Sequence, residues 1–151
     1  MIYKRILLAL SFLCLFVGLQ AQMPGFSFEK TDHSALTPET LMKGKPTIVF
    51  FFDPDCEHCQ DQAGRMKPYL AQFKDVNLIW VSWGEMDAIK KFQTTFIGSA
   101  SNIHFAKDVN YAIDRYFGES NIPTVHIFGK DGKKITTLSE VADAADIKAY
   151  L

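Results

Sequence analysis

Ile48-Val49-Phe50-Phe51-Phe52-Asp53-Pro54-Asp55-Cys56-Glu57-His58-Cys59 is the stretch on which the reading of this chain turns. Its first five residues form an unbroken apolar run, which predicts a strand over 47–52 buried on both faces. Asp53-Pro54-Asp55 predicts a turn, with Asp55 capping the helix that follows. Two cysteines three residues apart on a helix share a face at roughly 5–6 Å, inside the Cα separation of about 4.4–6.8 Å that a disulfide tolerates. The pair can therefore open and close locally. Cys56 is expected among the unpaired N–H groups of the first turn, where the positive end of the helix dipole favours a thiolate.

The N-terminus sets the chemical setting of that pair. Lys4-Arg5 followed by the apolar run Ile6 to Leu19, with small Ala21 before Gln22, has the pattern of a secretory signal peptide over residues 1–21. The run is shorter than the roughly 18 residues of a spanning helix, so an uncleaved membrane anchor is the alternative rather than the first reading. Export, to a periplasm first of all, is the expected location. Cys14 lies inside the run without small residues before it, which argues against lipid attachment there and leaves Cys56 and Cys59 as the cysteines of the mature chain.

Removing residues 1–21 takes away Lys4 and Arg5 and no acid, leaving 14 Lys+Arg against 17 Asp+Glu and a net charge of −3. Nucleic acid is thereby excluded as a partner, since phosphate binding needs a clustered basic face. The remaining residues 22–151 suit one domain with a real core, so disulfides are not needed as staples. A single CxxC in an exported chain of this size fits redox chemistry better than a disulfide framework, which uses several spaced pairs.

Residues 22–44 read as a lead-in in which only Phe26-Ser27-Phe28 alternates like a short edge strand. After Cys59, Met66, Tyr69, Leu70 and Phe73 recur at helical spacing and predict a core face, with Pro68 kinking the helix. Val76 to Trp83 predicts a central strand, 85–96 a helix, and Ile103-His104-Phe105 a short strand. Asp108 to Phe117 predicts a short helix with Val109, Ala112, Ile113 and Tyr116 on one side. Thr124 to Phe128 and Lys134 to Leu138 flank Gly129-Lys130-Asp131-Gly132-Lys133, whose Asp-Gly signals a hairpin. A last helix ends at Leu151. This order predicts an α/β fold, a central mixed β-sheet flanked by helices on both faces.

Two separated signatures, Cys56-Glu57-His58-Cys59 after a strand and Asn121-Ile122-Pro123-Thr124 running into the hairpin, resemble the thioredoxin superfamily over residues 26–151. The extra Asp108 to Phe117 segment is similar to its extracytoplasmic TlpA-like thiol-disulfide oxidoreductases. The resemblance implies the thioredoxin fold, a cis-proline at Pro123 facing the dithiol, and backbone pairing of Ile122 with a substrate peptide. It implies that Cys56 is the exposed nucleophile of a redox-active disulfide and Cys59 the resolving thiol. Client proteins with thiols or disulfides, and a partner that recycles the pair, membrane-bound ones included, are implied with it; no cofactor is. Glu57 and His58 tune the thiol in opposite senses, or form a solvated first turn. His58 is similar to oxidising Dsb-type motifs and Glu57 to reducing TlpA-like ones. Asp55 stands where many thioredoxins have tryptophan, and Phe50 where thioredoxin buries an acid, which leaves Asp53, Asp55, Glu57 or solvent to take the Cys59 proton.

Three functions remain distinct at this level. An extracytoplasmic thiol-disulfide oxidoreductase, in the reducing direction, comes first, with oxidase or isomerase as its variant. A Cu(I) carrier using both thiolates is the second, since soft ligands suit that ion. Zinc is less attractive, because His33, His58, His104 and His126 lack the paired spacing of a closed site. The third is a binding module with a permanent disulfide, although so short a loop constrains the unfolded chain little. Trp80 and Trp83 are expected in the core more than in a client groove, and His126 is expected as a satisfied or exposed strand residue. Nothing marks a dimer interface.

Overall fold

The computed structural model describes residues 22–118 and 121–151; the expected signal segment 1–21 lies outside them. Seven strands form one sheet: β1 (Phe28–Lys30), β2 (Ala35–Leu36), β3 (Thr47–Phe51), β4 (Asn77–Ser82), β5 (Ile103–Lys107), β6 (Thr124–Phe128) and β7 (Lys134–Leu138). Their spatial order is β2-β1-β5-β4-β3-β6-β7. The three central strands β5, β4 and β3 are parallel, and every other neighbouring pair is antiparallel. That arrangement explains the unbroken apolar runs. All residues of β3, β4 and β6 are buried, because both faces of these strands are covered.

Four α-helices, α1 (Glu57–Met66), α2 (Met86–Phe92), α3 (Ala112–Phe117) and α4 (Ala144–Lys148), do the covering. Alternation along the strands splits the core in two. Ile48, Phe50, Leu78, Trp80, Val125 and Ile127 face α1, α2 and α4 through Ala63, Met66, Ile89, Phe92 and Ile147. Val49, Phe51, Ile79 and Val81 face α3 and the lead-in through Ile113, Phe28 and Leu36. Trp80 is the centre of the first layer: fully buried, it stacks on Phe50 at 4.1 Å and on Phe105 at 5.8 Å. The mixed sheet with helices on both faces is the one expected from the sequence. Among the described residues no helix is long and apolar enough to cross a membrane.

Local departures from the expected pattern have local causes. Pro68 does not kink one long helix. Instead α1 ends at Met66 and residues Lys67–Phe73 continue directly as a 3₁₀ helix with Pro68 in its first turn, the change of helix type falling where proline removes a backbone donor. Three residues per turn then bury Phe73 and draw in Leu70, while Tyr69 falls on the solvent side, 48% exposed. The segment before α3 also starts later than its periodicity suggests. The Asp108 carboxylate accepts the N–H groups of Ile113 (2.7 Å) and Asn110 (3.3 Å), so residues 108–111 form a turn. Ala112 and Ile113 are buried, but Val109 lies outside the helix and Tyr116 on its outer side, both exposed. The edge strand expected at Phe26–Phe28 is shifted: β1 starts at Phe28 and lies inside the sheet, between β2 and β5.

The lead-in is also tied to the far side of the sheet. Gln22 bridges Lys133, and the Met23 N–H donates to Gly132 O at 2.7 Å, in the turn where Gly132 takes φ +76°. Because Thr47 pairs with Phe128 and Phe51 with Thr124, this turn lies at the start of β3, the pole opposite the cysteines.

Candidate active site

The C-terminal end of β3 delivers the chain into Asp53-Pro54-Asp55 and then into α1. Asp53 organises that turn. Its carboxylate accepts the Asp55 N–H at 2.8 Å, and its carbonyl accepts the Cys56 N–H at 3.2 Å. Asp55 is therefore held by the turn rather than capping the helix. The N-cap position belongs to Cys56, which makes no side-chain cap, while its carbonyl accepts the Gln60 N–H at 3.0 Å. The turn is pinned from outside as well: the Gln60 side-chain amide donates to Pro54 O at 3.1 Å. A Cβ on Gly84, in the loop after β4, would lie 3.0 Å from Pro54 Cδ, so any side chain there needs the turn to give by a few tenths of an ångström.

Cys56 and Cys59 are free thiols in unequal surroundings: Cys56 is half-buried, and Cys59 is fully buried. Burial raises the Cys59 pKa, which is pushed up to about 12, with the neighbouring Cys56 thiol and the Asp53 charge adding to the rise. One group opposes them: the Asp53 backbone N–H donates to Cys59 Sγ at 3.5 Å. Phe50, stacked on Trp80, offers no acid beneath the pair. Glu57 and His58 are both exposed on the first turn of α1.

Across from α1, the Ile122–Pro123 peptide bond is cis, and the register of β6 sets Thr124 level with Phe51 at the end of β3. Pro123 is buried and Ile122 half-buried. Both line a groove of about 410 Å³ together with His58, Asp61, Arg65 and Glu140. Cys56, Cys59, His58, Ile122 and Pro123 are thus brought to one end of the sheet. Trp80 belongs to the core, as expected, whereas Trp83 is half-buried, its ring edge-on to Phe51 at 4.2 Å. His126 is buried, not exposed: Nδ1 pairs with Thr137 Oγ1 at 3.0 Å, and Nε2 has no partner among the described residues. Among the described residues no group of three His, Cys, Asp or Glu side chains could hold a metal ion.

Asp61, Arg65 and Glu140 of the groove have no counterpart in the sequence reading, and neither has the residue that supports it. Gln62, fully buried one turn past Cys59, donates from Nε2 to Ala142 O (2.9 Å) and accepts the Ala142 N–H at Oε1 (2.8 Å). This amide clamp fixes the segment after β7 against α1. A lone glutamine on a helix carries no sign that its partner is a backbone 80 residues away. Asp53, expected as turn chemistry and among the acceptors for the Cys59 proton, touches Cys59 through its backbone N–H.

A dithiol at a helix start, at the end of a parallel strand and beside a cis-proline loop, on a mixed sheet covered on both faces, defines a thioredoxin-like protein. The model described as the AhpC/TSA family matches residues 19–135, and the chain belongs to that family. No curated protein matches it. The chain is similar to the crystal structure of a secreted Mycobacterium tuberculosis disulfide oxidoreductase homologous to E. coli DsbE. That likeness has a TM-score of 0.68 at 17% identity, covering 83% of this chain and 92% of that one. StoA from Bacillus subtilis gives a TM-score of 0.67 at 16% identity, over 86% and 98% of the two chains. A thioredoxin-like protein from Aeropyrum pernix gives 0.70 at 12% identity, over 83% and 87%. These likenesses establish the fold, the one used by thioredoxin-like thiol-disulfide oxidoreductases.

Proposed function

We propose that this protein is an extracytoplasmic thiol-disulfide oxidoreductase that reduces disulfides in client proteins through Cys56 and Cys59. The observation that carries the reading is the asymmetry of the pair. Cys56 is accessible at the N-cap of α1, and Cys59 is buried beneath it with its thiol held protonated. The Cys56 thiolate attacks a client disulfide, forming a mixed disulfide and releasing one client thiolate, which takes up a proton. Cys59 then loses its proton and attacks the Cys56 sulfur, closing the internal disulfide and releasing the second client thiol. Two electrons and two protons pass to the client. An external dithiol, supplied by a recycling partner, returns the pair to its starting state.

The proton that must leave Cys59 is proposed to pass to Asp53, whose charge bears on that sulfur, or to solvent. Pro123 and the Ile122 backbone hold the client beside Cys56, and His58 and Glu57 tune the thiol in opposite senses. Residues 1–21 serve as the export signal and residues 22–151 as the thioredoxin-like domain. The reducing direction rests on the TlpA-like layout and on Ile122-Pro123-Thr124.

The test uses two variants and one potential. Cys59→Ser accumulates a client-linked species through Cys56, and Cys56→Ser loses insulin reduction; full activity in Cys56→Ser refutes the assignment. A reduction potential near about −270 mV fits a reductant, whereas one near about −120 mV overturns the direction.

A further inference from the structure

The groove beside the dithiol has a charge pattern that selects among clients. Its floor is apolar, formed by Ile122 and Pro123, and its walls are α1 on one side and the segment after β7 on the other. Arg65 is the cation of the α1 wall, but it is already engaged. It pairs with Asp61 at 3.1 Å and with Asp143 at 2.8 Å, so this triad carries one net negative charge. Opposite stands Glu140, exposed, whose carboxylate makes no ion pair or hydrogen bond among the described residues. No lysine lines the groove. Around Cys56 in the sequence stand three further acids, Asp53, Asp55 and Glu57.

The wall that carries Glu140 is not a loose loop. The Gln62 clamp on Ala142 fastens it to α1, two residues beyond Glu140, so the carboxylate is presented from a fixed support. A free acid on a pre-organised wall over an apolar floor, in a groove that reaches His58, two residues from Cys56 on α1, needs no reorganisation to meet a cationic side chain. An extended segment advances about 3.3 Å per residue, so a client whose cysteine reaches Cys56 lays its adjacent residues into this groove.

We infer that the groove is a specificity site for clients with lysine or arginine next to the reacting cysteine, and that Glu140 is its principal determinant. The inference rests on the oxidoreductase reading and adds the class of client. Its effect falls mainly on the rate of encounter, because complementary charge steers association and screening by salt removes it.

The experiment compares three disulfides reacting with the reduced full domain: two cyclic peptides that differ only in lysines or glutamates flanking the reacting cysteine, and a small uncharged aliphatic disulfide. At low salt the lysine peptide is expected to be reduced at least about threefold faster than the glutamate peptide, with the ratio falling toward one at high salt. Glu140→Lys, checked for folding by circular dichroism, and the milder Glu140→Gln are expected to shrink or invert the ratio. Equal rates for the two peptides, or a ratio unmoved by both variants, overturns the specificity site and leaves the oxidoreductase standing, provided the uncharged disulfide reacts. Inertness toward all three disulfides overturns both readings together.

Discussion

Acidification tests the packing of the sheet at His126. This side chain lies buried on β6, between Val49 on β3 and Thr137 on β7, with the Phe117 ring 4.9 Å away. Desolvation, aided by the nearby Lys134 charge, lowers its pKa from an ordinary 6.5 to about 4. Between those two values the unfolded chain binds a proton that the folded chain refuses, so stability falls as the pH drops from 6.5 toward 4. Each pH unit in that window is worth about 1.4 kcal/mol, giving a loss of about 2 kcal/mol at pH 5 and about 3 kcal/mol at pH 4. His104, its pKa also lowered by burial, adds a background of the same sign. His126→Gln isolates the histidine, because its amide keeps a polar group for Thr137 Oγ1 and does not titrate. Urea unfolding of both proteins, under reducing conditions and in steps from pH 7 to pH 4, reads the difference directly. The wild-type protein should lose about 3 kcal/mol more than the variant. Parallel curves, agreeing to within about 0.5 kcal/mol across that span, refute the buried neutral imidazole.

Other outcomes follow from the dithiol and its turn. At neutral pH iodoacetamide should label Cys56 alone, since Cys59 is buried and stays protonated until the pH nears about 12; mass spectrometry that finds the native protein doubly labelled contradicts this asymmetry. Gly84→Ala puts a methyl group 3.0 Å from Pro54 Cδ and 3.2 Å from Ser82 Oγ, so thermal unfolding should show a loss of about 1–3 kcal/mol, with Cys56 alkylation slowed as the turn shifts. An unchanged melting temperature together with an unchanged alkylation rate removes Gly84 from the support of the site.

Much of the fold is legible because burial on both faces erases alternation: the apolar runs Ile48 to Phe52 and Val76 to Trp83 are consistent with covered central strands, and β3 and β4 lie there. The cysteine pair was readable because its spacing and its place after a strand carry the chemistry by themselves. Reading failed where one helix geometry gives way to another. Tyr69 looked like a core residue only while 3.6 residues per turn was assumed beyond Pro68. It failed again where a side chain bonds to backbone. Asp108 delays α3, Asp53 rather than Asp55 organises the turn, and Gln62 reaches across to Ala142. Such contacts leave no periodicity, because each is a single side chain bonded to backbone outside any helix or strand ladder. His126 shows the converse. Its alternation with apolar neighbours was visible, but alternation does not reveal that both faces of β6 are closed.

The bridge from Gln22 to Lys133 governs how the molecule can be held. Any leash attached ahead of Gln22 meets the domain at the end of the sheet where β3 begins, and the five residues of β3 put about 17 Å between that anchorage and the sulfur-bearing end. Whatever is fused ahead of Gln22 is therefore joined at the pole away from Cys56 and Cys59.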